Sequence, residues 1–368
     1  MVPTLTMLGL VREPCDGTFS RALAEATPRF LQPDGTARAT TPGASRLDSV
    51  YDGPPALTWG SLVSAWEPRA VVLVALLGAA ALYLYAAQRL RRRGDAWSPA
   101  RDVAFVVGGL GIIGYSLMGW MGVYDDTLFW AHMAQHMALS MVAPVFLALG
   151  APVTLALRTL PPSPRRGLKT VLNSRPAKII INPLVGAALV FGTPFVLYLT
   201  GLYQLSLEHD WLHSLLHVHF VLAGCLFFWP IIGVDPVPGR LPYPMRLLLV
   251  CVSLPAHAFL GVSIMSQNTI IAGTYYRALG RPWPPSLAQD QTIGGGLLWA
   301  AGDLIGLLVF AALLYQWSRA DDREAARVDR HLDRTERLAS QRAAADGEDA
   351  ELSAYNQRLK ALADREGG

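Results

Sequence analysis

Two stretches of the chain space histidines so that they could share an ion. HMAQHM carries His132 and His136, and HDWLHSLLHVH carries His209, His213, His217 and His219. In a helix, positions i and i+4 share one face, about 6 Å apart along the axis. His132 with His136, and His213 with His217, form two such pairs. Two pairs on packed helices can converge on one metal, and a neutral imidazole nitrogen is the commonest metal ligand. His209 stands a turn above His213, while His219 points to another side. Any one of these histidines also reads as an amphipathic group tolerated at a helix end. Two pairs at matching depth argue for a shared site.

Other candidates surround the pairs. Met118, Met121, Met133, Met137, Met141 and Met265 fall near the same helix ends. Thioethers select copper(I), and imidazole also suits copper, although methionine is equally a flexible packing residue. Deeper in their helices lie His257 and Asp303. Asp303 is the one acidic or basic residue placed inside a span, and such a group needs a partner. Pairing with His257 would satisfy both, as ligands, as an orienting pair or proton site, or as polar glue between helices. The candidate metal set is therefore His132, His136, His213, His217, His257, Asp303 and Met265. Cys225 and Cys251 read as small buried hydrophobes, and with Cys15 they form no CxxC and imply no disulfide framework. The sequence has no phosphate-binding glycine loop, no GxSxG and no HExxH. An enzyme is not expected.

The elements that position these residues follow from composition. Of 368 residues 52% are hydrophobic and only 16% charged, against about 25% charged in a soluble domain. The deficit lies between residues 70 and 317, in apolar runs long enough to span a bilayer. Seven spans are expected, at about 66–88, 101–121, 129–157, 183–202, 212–234, 245–271 and 292–316. The fold class is an all-α, polytopic membrane helix bundle. Small residues such as VGGLGIIG in the second span suit close helix packing in lipid, and Pro144 in the third invites a kink.

Basic residues crowd alternate connections, Arg89 to Arg101 and Arg158 to Lys178, whereas the other side offers only Arg277 and Arg281. The positive-inside rule then puts the N-terminus outside and the C-terminus in the cytoplasm. Both histidine stretches fall on the outer side. The expected divisions are an irregular tail over 1–65, with no visible signal peptide, a transmembrane domain over 66–317, and a charged helical tail over 318–368 with a break at Gly347. The basic runs flank helices, so nucleic acid is not an expected partner.

With HMAQHMALSMVAPVFLALGAP and WLHSLLHVHFVLAGCLFFWPIIGVDP in view, the chain resembles the CtaG-type cytochrome c oxidase assembly factors, multi-pass membrane proteins associated with the caa-type oxidase. RLPYPMRLLLVCVSLPAHAFLGV, DQTIGGGLLWAAGD, and the tail with DDREAARVDR and AELSAYNQRL support the likeness. It covers about residue 57 to the end. Some actinobacterial relatives carry a CopD-like domain in front, for which residues 1–56 offer no match. The resemblance implies a protein of the cell membrane that matures the oxidase, binding Cu(I) at the outer histidines and delivering it to an oxidase subunit. It carries over His132, His136, His213 and His217, then Asp290 and Gln291. Two alternatives stay open. Histidines on adjacent helices also ligate haem axially, which would make an electron-transfer or haem-handling protein. A copper transporter would need a ligand path through the bilayer, which His257, Asp303, Cys225 and Cys251 could sketch.

Overall fold

The computed structural model describes residues 51–236 and 241–366. In lipid, a backbone must satisfy its own hydrogen bonds, and a helix does so within one segment. The apolar runs accordingly form helices, and no strand occurs among the described residues. We number the long apolar helices α1 (Ala70–Arg92), α2 (Pro99–Tyr124), α3 (Phe129–Thr159), α4 (Pro183–Leu199), α5 (Asp210–Ile232), α6 (Tyr243–Met265) and α7 (Leu287–Glu366). Six of them are long and apolar enough to cross a membrane, and α4 is a shorter apolar helix.

The expected tail over 1–65 lies, up to residue 50, outside the described residues. Its remainder lies over the bundle: Leu57, Leu62 and Ala65 pack against a cluster of Trp120, Met121, Tyr124 and Leu128. The Tyr124 hydroxyl donates to the Pro55 carbonyl at 2.9 Å, and Tyr115 donates to that of Leu62 at 2.8 Å. At the other end, α7 runs for 80 residues in all, far past its last apolar turn, a rod of about 120 Å at 1.5 Å per residue. Gly347 does not interrupt it.

The histidine helix α3 is the axis of the arrangement. Its π-helical stretch Ala138–Val142 comes just before Pro144, and α4 repeats the device with Ala188–Gly192 before Pro194. A proline ring clashes with the carbonyl four residues back and supplies no N–H to the ladder. A widened turn relieves both conflicts, so the prolines change the register of these helices without breaking them. The Ser140 carbonyl exposed by that turn meets α5 at Gly224: a Cβ there would overlap it and lie 2.6 Å from Pro144 Cγ. The glycines expected to pack in α2 do so on α3, Gly108 against Phe146 and Gly109 against Leu147. On the far side α6 and α7 approach through Gly261 and Gly295.

Two helix starts along this stretch are fixed by aspartates from elsewhere, that of α3 itself and that of its last segment, Pro152–Thr159, which begins anew after the left-handed Ala151. Asp290 of α7 accepts the backbone N–H groups of Phe129 and Trp130, at 3.2 and 2.9 Å. Asp235 accepts those of Val153 and Thr154, at 3.1 and 2.7 Å, and the Trp229 indole N–H at 2.9 Å. The first turn of a helix leaves N–H groups without intrahelical partners. A carboxylate satisfies them and complements the positive end of the helix dipole.

Candidate metal centre

α3 and α5 bring the two histidine stretches to the same end of the bundle, with the His132 and His213 ring centroids 5.7 Å apart. The group that joins them is Asp125, in the turn between α2 and α3. Its Oδ2 lies 3.1 Å from His213 Nε2 and 3.2 Å from His217 Nε2. Asp125, His213 and His217 each offer a ligand atom, all within 4.8 Å of one another. Donors bound about 2.1 Å from one ion stand roughly 3.0–3.4 Å apart at right or tetrahedral angles, so the two contacts have the spacing of a coordination sphere.

The cluster is largely buried. Asp125 is 3% and His217 4% exposed. Burial by itself would raise the Asp125 carboxyl, but the two imidazoles outweigh it and hold the group well below the usual carboxylate range. Its neighbour Asp126 is pushed the other way, by burial and then by the charge on Asp125. His217 Nε2 has no partner with hydrogen-bond geometry, and the Nδ1 atoms of His213, His132 and His136 have none either. Buried polar atoms are normally paired. The unpartnered His217 Nε2, beside Asp125 and His213, suits an ion.

His132 adjoins the cluster. Its Nε2 lies 3.1 Å from the Tyr198 hydroxyl, and its ring rests 4.8 Å from that of Tyr203. Tyr203 in turn shares a 2.7 Å hydrogen bond with the Tyr276 hydroxyl, and burial raises both phenols well above their ordinary value. This tyrosine wall flanks the imidazole with buried aromatic rings.

The remaining candidates lie apart. His136 is one turn deeper, its ring edge against Phe220 at 4.2 Å. His209 is exposed on the turn before α5, its Nδ1 3.1 Å from the Leu205 carbonyl. His219 contacts the Thr193 hydroxyl at 3.0 Å on another face of α5. His257 and Asp303 do not hydrogen-bond to each other. His257 Nδ1 stands 3.2 Å from the Ser253 carbonyl, and Asp303 accepts the Trp299 indole N–H at 2.7 Å. Met265 packs on Gly295 of α7. Asp290 serves as the cap described above, and Gln291 ties α7 to the end of α6 by accepting the Ile271 N–H and donating to the Ile264 carbonyl.

Asp125 is the residue that pattern reading passed over. Its signal was present: VYDDTLFW puts two carboxylates in the short turn between α2 and α3, on the side of the histidines. A search for charge inside spans finds Asp303 and skips a turn.

The model of the family described as cytochrome c oxidase caa3 assembly factor matches residues 81–320. An uncharacterised protein of Mycobacterium bovis and one of Mycobacterium tuberculosis are each 37% identical over 324 residues, 85% of this chain and 46% of theirs. An uncharacterised protein of Mycobacterium leprae is 38% identical over 299 residues, 78% of this chain and 44% of its own. The chain thus spans about half the length of the curated relatives it matches. No solved structure matches it.

Proposed function

The chain belongs to the cytochrome c oxidase caa3 assembly factor family, and on that premise we propose that it holds copper at Asp125, His213 and His217 and passes it to an oxidase subunit docked beside it in the cell membrane. The observation that carries this reading is the convergence of two imidazole nitrogens on one carboxylate oxygen, 3.1 and 3.2 Å away, in a largely buried site. Copper here is cargo, and no bond-making chemistry is required of the chain. Three protein donors leave a coordination position open. An incoming donor from the client can enter there before any donor of this chain leaves, so the ion moves by ligand exchange and is never bare. His132, with its free Nδ1, stands beside that opening and can hold the ion during the exchange.

The distribution of Lys and Arg supports an orientation with this site at the outer face and the end of α7 in the cytoplasm. A double variant, His213→Ala with His217→Ala, tests the function. It is expected to insert in the membrane while the copper content and activity of the oxidase fall. Normal oxidase copper in cells carrying only that variant would overturn the proposal.

A further inference from the structure

We infer that the ion this site takes is divalent, copper(II) in preference to copper(I). The inference rests on the copper reading above and sharpens it. It has two independent supports, donor type and charge.

The donors are hard or borderline. Copper(I) is selected by thiolate and thioether sulfur, whereas nitrogen and oxygen sets suit copper(II), the divalent ion such sites bind most tightly. The convergent set is one carboxylate and two imidazoles, with a third imidazole, His132, adjoining. The methionines of the neighbourhood pack among apolar side chains, Met133, Met137 and Met141 within the buried core. Met133 packs on Gly294 and Met265 on Gly295, both of α7, and Met118 lies against Gly114. Met121 belongs to the cluster of Trp120 and Tyr124 beneath the 57–65 segment. Cys225 is twelve positions along α5 from His213, about 18 Å down the axis.

Charge points the same way. Asp125, the anionic donor of the set, is buried and among the described residues is paired with neither Lys nor Arg. The cations nearby have their own anions: Arg69 stands 4.0 Å from Glu67, and Arg281 3.3 Å from Asp290. An anionic donor with no other cation beside it, in a place where isolated charge is costly, favours the more highly charged ion.

The test uses the purified full chain in lipid nanodiscs, titrated separately with copper(II) against a cupric chelator and with copper(I) against a cuprous chelator under argon. The expected result is one copper(II) per chain, bound more tightly than copper(I), with a paramagnetic resonance spectrum carrying hyperfine splitting from at least two nitrogens. Asp125→Asn, which keeps the shape of the side chain, is expected to weaken copper(II) on the order of 100-fold and to change copper(I) binding little. Tighter binding of copper(I) by the unmodified chain, or equal loss of both ions in Asp125→Asn, would overturn the preference while leaving copper carriage standing. Failure of both ions to bind would sink the carriage reading itself. The comparison of the two ions on the unmodified chain needs no variant, so it holds even if Asp125→Asn folds poorly.

Discussion

The Asp290 carboxylate accepts the Trp130 backbone N–H at 2.9 Å across 160 positions of sequence. Two residues beyond Trp130 is His132, so the last helix sets the height and the entry angle of the histidine helix. Arg281, buried to 3% exposure, holds Asp290 from behind. Asp290→Ala removes the cap and leaves that guanidinium without its anion. Breaking a buried pair in this way costs about 3–5 kcal/mol; Asp290→Asn also removes the anion but keeps an oxygen acceptor for the helix end and for the guanidinium, so it is expected to cost less than Asp290→Ala. Unfolding of the two variants by denaturant in detergent would show the order. Equal stability of Asp290→Ala and the unmodified chain would mean that the cap holds nothing.

The contact between α3 and α5 sets the other coordinate of the site. Gly224 meets the Ser140 carbonyl and Pro144 so closely that a methyl group has no room. Gly224→Ala must push the helices apart, at about 1–3 kcal/mol, and the displacement carries His213 and His217 away from Asp125. Lower stability and weaker metal binding should appear together. Gly296 of α7 has no atom within reach of an added Cβ, and Gly296→Ala should leave metal binding untouched. A normal affinity in Gly224→Ala would separate the helix contact from the site.

Six of the seven expected spans, the convergence of the two histidine stretches on one end and the small-residue packing of α2 were legible because each depends on local pattern: apolar length, four-residue spacing, a run of glycine. The ligand set was legible only in part. His213 and His217 share the face that meets Asp125, while His136, at the same four-residue spacing from His132, turns to Phe220. Spacing fixes which residues share a helix face but says nothing about what stands opposite. That is decided by how α5 crosses α3, and hence by Gly224 and the widened turn before Pro144. His257 and Asp303, expected to pair, each make a hydrogen bond within their own helix, with Ser253 and Trp299 one turn away.

Ligand binding stabilises whatever binds in the folded state alone, by about 2.7 kcal/mol when the ligand is at a hundred times its dissociation constant. Copper added to the unmodified chain should raise its melting temperature. His213→Ala with His217→Ala should abolish the rise, because two of the three convergent donors are gone. His136→Leu should keep it, since that ring packs on Phe220 at 4.2 Å and is not in the convergent set. A lost thermal shift in His136→Leu would mean that the ion sits deeper, between α3 and α5, than the Asp125 cluster.

The tyrosine wall behind His132 can be tested without metal. The hydroxyls of Tyr203 and Tyr276 meet at 2.7 Å, and both side chains are fully enclosed. Tyr203→Phe deletes one partner and strands the other, which costs about 1–3 kcal/mol for an unsatisfied buried hydroxyl. Tyr276→Phe should cost a similar amount for the same reason. The double variant strands nothing, so its loss should fall below the sum of the two by roughly 0.5–3 kcal/mol, the range for directly contacting residues. Strict additivity would show that the two hydroxyls do not depend on each other. Because the His132 ring rests on Tyr203 through the face of the phenyl group, which Tyr203→Phe retains, metal affinity is expected to survive both single variants. A fall in affinity in Tyr203→Phe alone would instead make the hydroxyl pair part of what positions His132.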